Sequence, residues 1–153
     1  MKKIMTVVLL IVALLVAGCG SSDDAAVKVC KDYIALCEKM DNGTWVDEDR
    51  FYSYFAKGKS GSYVTEAMSQ WQVMTRRVGT LSKMGMSATY DVSDVNAVKV
   101  GEENGYEGYR VDMNVKINVS DGSKAVVRYT FVVISPTGKN QFKIQEVLWQ
   151  RVG

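Results

Sequence analysis

Apolar residues recur along this chain with two different periods, and the change from one to the other divides it. At 100° per residue, Ala26, Val29, Cys30, Tyr33, Leu36, Cys37 and Met40 share one side of a helical wheel, with Lys28, Lys31, Asp32, Glu38 and Lys39 on the other. The spacing predicts an amphipathic helix over about 25–40, capped by Asp23 or Asp24 and stopped by Asp41-Asn42-Gly43. A short helical piece is expected over about 47–55. A third, over about 62–83, rests on Val64, Ala67, Met68, Trp71, Thr75 and Val78, with Gly79 weakening its last turns.

After Gly85 the period falls to two. Tyr109, Val111, Met113, Val115, Ile117 and Val119 alternate with Arg110, Asp112, Asn114, Lys116, Asn118 and Ser120, which predicts a strand with one wet face. A loop of Ser120-Asp121-Gly122 sets Val115 opposite Val127, Met113 opposite Tyr129 and Val111 opposite Phe131, so the apolar face runs on into the next strand, with Gly122 at the left-handed position. Ser135-Pro136-Thr137-Gly138 reads as a turn with Pro second, leading into a strand over about 141–150. There the apolar parity shifts from Phe142 and Ile144 to Val147 and Trp149, which predicts a β-bulge near Gln145-Glu146. An earlier strand over about 87–100, joined to the next through Gly101–Gly105, completes an antiparallel meander of four. The fold class is α+β, with N-terminal helices packed on a curved four-stranded sheet.

The chain's start obeys neither period. Lys2 and Lys3 precede an unbroken small and apolar run from Ile4 to Ala17, then Gly18 and Cys19. The run is shorter than the roughly 20 residues needed to cross about 30 Å of hydrocarbon. Met1–Cys19 resembles the lipobox signal of bacterial lipoproteins. That resemblance implies cleavage before Cys19, a diacylglyceryl group on its sulfur and, in many species, an acylated amine. It divides the chain into a signal peptide (1–18), a lipidated cysteine with a short tether (19–24) and one domain (25–153). Two or more acyl chains anchor stably where one holds only marginally. A residue other than Asp after the cysteine, here Gly20, implies the periplasmic face of the outer membrane in a two-membrane host, and otherwise the outer face of the cell membrane.

Removing Lys2 and Lys3 lowers the 19 basic residues to the number of acidic ones, 17. A neutral domain with interspersed charges gives no footprint for nucleic acid, so the expected membrane contact is through acyl chains on Cys19. Cys30 and Cys37, seven residues apart on one helix, stand about 10.5 Å apart along its axis, beyond disulfide reach, and read as reduced core residues.

The chain contains no histidine, which removes Ser-His-Asp and Cys-His nucleophiles and histidine-ligated metal. No catalytic residue, cofactor or metal is assigned. Asp91, Asp94 and Asp112 lie in or near strands, but Asp112 belongs to the wet face, where a pair with Arg128 explains it. Tyr33, Trp71, Tyr109, Tyr129 and Trp149 face inward by pattern and line either the core or a pocket. Val126, Val132 and Ile134 fall on the sheet's outer face beside Arg110, Asp112, Asn114 and Lys116, a mixed strip suited to a protein partner or a homodimer.

Asp41-Asn42-Gly43-Thr44-Trp45, Trp71 with Arg76-Arg77 and Gly79, and the closing Gln141-Phe142-Lys143-Ile144 carry a resemblance to the nuclear-transport-factor-2-like, or cystatin-like, superfamily, and within it to bacterial secreted domains of unknown function. The resemblance covers about residues 25–150, by order of elements more than by a diagnostic motif. It implies a cone of helices on a curved sheet whose mouth holds a small molecule, is plugged, or is empty. The expected function is a membrane-anchored, non-enzymatic protein-binding or assembly module of the cell envelope. The alternative is a lipid-tethered small-ligand binder, with carboxylate catalysis behind it.

Overall fold

The computed structural model describes residues 22–57, 61 and 65–153; the signal segment, Cys19 and the expected helical residues 62–64 lie outside these. Four helices, α1 (Ser22–Asp41), α2 (Glu48–Tyr52), α3 (Thr65–Arg77) and α4 (Thr80–Lys83), precede four strands, β1 (Ala88–Glu103), β2 (Tyr106–Val119), β3 (Lys124–Pro136) and β4 (Lys143–Arg151). The strands form one open antiparallel sheet in the order β1-β2-β3-β4.

The apolar stripe of α1 is buried as its spacing requires: Ala26, Cys30, Tyr33, Leu36, Cys37 and Met40 all lie inside, joined by Ile34. Across from them stand Val111, Met113 and Val115 of β2 and Phe131 and Val133 of β3. Tyr33 ties the layers together, with its ring 5.5 to 6.2 Å from those of Phe51, Tyr54, Phe55 and Phe131, all edge-on. Both remaining cysteines are free and buried.

The β2–β3 register is the one the three-residue loop requires: Val115 faces Val127, Met113 faces Tyr129 and Val111 faces Phe131. Gly122 has φ +91°, open to glycine at little strain. In β4, Glu146 pairs with Val132 and Ile144 with Val133, leaving Gln145 as the extra, bulged residue. A further bulge at Asp94-Val95 in β1, with Asp94 at φ +50°, keeps Val92 and Ala97 on the inner face.

Several expectations are corrected. Ser22 already belongs to helix α1, so Asp23 and Asp24 sit in its first turn, where acids favour the helix dipole, rather than preceding it. In α3 the buried residues are Ala67 and Met74, while Met68 is 54% exposed. That helix ends before Gly79, whose left-handed φ of +68° separates it from α4. The β1–β2 connection is a tight Asn104-Gly105 turn with both residues at positive φ, because Gly101 and Gly108 pair within the ladder. Pro136 opens the next turn, since its carbonyl accepts from Lys139 N at 3.0 Å while it still pairs with Tyr106.

Trp149 shares a face with its partner Tyr129, yet is 56% exposed. Parity assigned its face but not what covers it. Asp112 accepts from Arg110 Nε at 2.9 Å and Thr130 Oγ1 at 2.6 Å rather than from Arg128. Arg128 is registered one pair along, where its Nε donates to Asn114 Oδ1.

Candidate functional site

The residues that stop α1 do more than end it. Gly43 takes φ +99°, its N–H reaching Met40 O and that of Thr44 reaching Lys39 O, the pair of bonds that closes a helix C-terminus. The Asn42 side chain donates to Ala88 O at 2.8 Å and accepts from Ala88 N at 2.7 Å, substituting for a strand at the start of β1. Asp41, only 4% exposed, turns its carboxylate inward.

A carboxylate at a helix C-terminus opposes the dipole, and burial deprives it of water, so it needs strong partners. Arg77, in the last turn of α3, supplies Nη2 at 2.5 Å from Asp41 Oδ2, and the Tyr90 hydroxyl of β1 donates to the same oxygen. Arg77 Nη2 also lies 3.3 Å from the Tyr90 oxygen. Burial pushes the Tyr90 hydroxyl far above its ordinary range, and Asp41 adds to this. Burial works against the charge on Arg77, but Asp41 and then Tyr90 outweigh it and hold the guanidinium above its usual value. Tyr129 and Cys37 stand behind the cluster. Burial raises both, the Cys37 thiol to about 12, with Asp41 reinforcing and Arg77 opposing in each case.

One flank of this cluster opens on a depression of about 250 Å³, walled by Leu81, Ala88, Ile117 and Val119. Asp41, Arg77 and Tyr90 also line it, but their polar groups are bonded to one another. Among the described residues no buried side-chain nitrogen or oxygen lacks a partner. Asp41, Arg77 and Tyr90 therefore form a closed clasp joining α1, α3 and β1, with one side of the half-exposed Arg77 left to solvent.

The five tyrosine and tryptophan candidates do not converge on one pocket, and Trp149 is exposed. Tyr33 lies mid-core. Tyr109 lies edge-on to Phe142 at 5.4 Å, and burial, then Asp23 at the start of α1, raise its hydroxyl above the usual range. Tyr129 stacks on Phe131, and Trp71 sits at the rim against Phe51 and the exposed Trp45. On the outer face Val126, Val132 and Ile134 are each half-buried, Val126 beneath the returning C-terminus through Gly153 O at 2.8 Å. Sequence reasoning read Asp41 as a stop signal and passed over Tyr90. The available signals were a charge four residues after Cys37, on the apolar stripe, and the place of Tyr90 between Ala88 and Val92.

Among the described residues no cluster of His, Cys, Asp or Glu could hold a metal ion, and no helix is long and apolar enough to cross a membrane. No family model, curated protein or solved structure matches the chain.

Proposed function

We propose that this chain is a membrane-anchored, non-enzymatic module of the bacterial cell envelope, held by acyl chains on Cys19 and presenting a nuclear-transport-factor-2-like domain to a protein partner or a second copy. The observation that carries the reading is the filled interior. Tyr33, Phe51, Phe55 and Phe131 occupy the space between helices and sheet where a substrate would have to enter, and the buried carboxylate is spent on Arg77 and Tyr90. A large apolar side chain instead reaches solvent on the sheet's outer face, where Leu148, 57% exposed and paired with Thr130, continues the strip of Val132 and Ile134. Such residues suit recognition better than chemistry.

Two measurements test this. Cys19→Ser should abolish processing and move the protein out of the membrane fraction; a variant that stays membrane-bound and equally processed defeats the anchor. Val132→Asp should reduce partner cross-linking in intact envelopes or self-association in sedimentation, and undiminished contact counts against the strip.

A further inference from the structure

The end of the domain where α1 begins has a different character from the clasp. Ser22 Oγ donates to Asn140 Oδ1 at 3.0 Å, which sets the helix start on the β3–β4 turn. Thr137 N donates to Gly105 O at 2.9 Å, bringing the β1–β2 hairpin tip to the same end. Cys19 precedes Ser22 by three residues, at most about 10 Å of extended chain. Whatever Cys19 is attached to lies beside this end.

Two surface depressions of about 460 and 470 Å³ adjoin here, sharing Ser53, Gln141 and Lys143. The first is walled by Tyr106, Ile134 and Pro136 with Phe55 behind them and Lys57 at its edge, and the second passes Ala25 and Val29 of α1 and the Lys28–Asp32 ion pair. Tyr106 is 49% exposed, so the apolar wall is reachable. Lys143 stands where the two meet. Its Nζ donates to the Ser53 carbonyl at 2.5 Å, a neutral acceptor, and it enters none of the ion pairs among the described residues. An ammonium without a counter-charge beside an apolar trench is complementary to a ligand with one anionic head and one apolar tail. The volume lies within the range of about 300–1,000 Å³ usual for small-molecule sites.

We propose that this groove binds a single-chain fatty acid, with its carboxylate on Lys143 Nζ and its hydrocarbon along Tyr106, Ile134 and Pro136. Where the two depressions meet, Lys143 supplies a cation that enters none of the ion pairs among the described residues, and the trench takes one chain. That the bilayer supplies the fatty acid rests on the anchor reading; the binding itself does not.

The test uses the full chain in neutral phosphatidylcholine vesicles, a palmitic-acid analogue carrying a diazirine, photolysis and peptide mapping. Labels are expected on 53–57 and 134–143, reduced at least five-fold by Lys143→Gln and retained by Lys143→Arg, with all three proteins melting alike. Ile134→Asp gives a second, independent loss. Labels scattered over α3 or the free end of β4, or unchanged in Lys143→Gln, overturn the proposal. So does labelling by a photoreactive phosphatidylglycerol but not by the fatty acid, which identifies a headgroup contact instead. If Cys19→Ser protein floats with vesicles as well as the parent, the anchor reading fails while the mapped positions still decide the groove.

Discussion

The two ends of α1 are held in opposite ways. At its C-terminus a buried carboxylate, a guanidinium and a phenol share one oxygen, Asn42 completes the start of β1, and Gly43 and Gly79 pack against Ser82. At its N-terminus an exposed Ser22–Asn140 bond lies beside open grooves. The difference separates two demands: the clasp fixes how the layers meet, and the loosely tied end leaves its surface open.

Asp41→Ala should be the most damaging single change at the clasp, because it leaves Arg77 and Tyr90 without their acceptor. Discounted for the half-exposed Arg77, the loss is about 3 kcal/mol, or a melting temperature lower by roughly 10 °C. Thermal unfolding followed by circular dichroism measures it, and a shift under 2 °C would show that the clasp is ornamental.

Gly43→Ala comes next, at about 2 kcal/mol. A side chain there meets a left-handed backbone, and its Cβ would stand 2.8 Å from Ser82 Oγ. Adding Ser82→Ala should restore part of the loss. No recovery in the double variant would assign the whole effect to backbone conformation.

Alkaline pH tests the buried thiol. Cys37 has its value raised from 9.0 to about 12, chiefly by burial, so the folded chain keeps a proton that the unfolded chain releases. Its contribution is intact below pH 9 and is lost as pH climbs toward 12, amounting to roughly 1 kcal/mol by pH 10. The decline in melting temperature between pH 9 and 11 should be shallower in Cys37→Ala; parallel curves would place the titration elsewhere.

Ser22→Ala, at the other end, should change stability by no more than about 0.5 kcal/mol. A larger loss in chemical denaturation would erase the contrast between the two ends.

Much of the sheet was legible because its determinants are local. Alternation fixes which face each residue takes, Gly122 fixes the hairpin register, and the parity slip at Gln145 fixes the bulge. The clasp was not, since Asp41 finds Arg77 and Tyr90 at separations of 36 and 49 residues and nothing near it announces either. Trp149 shows the complementary failure. Its face follows from Val147 two residues earlier, but the helical layer does not extend over it, and coverage depends on where other elements end. Lys143 was noted only as part of a closing segment; its position between two grooves depends on the Tyr54–Ala56 stretch, whose backbone pairs with Ile144.

The same separation sets an order of assembly. A chain made from its N-terminus presents α1 first, with a charge at Asp41 whose partners Arg77 and Tyr90 follow 36 and 49 residues later. The helix therefore cannot settle early onto a wrong surface without stranding that charge. The apolar half of the helix has no preferred partner, and its last residue ties its placement to Arg77 and Tyr90.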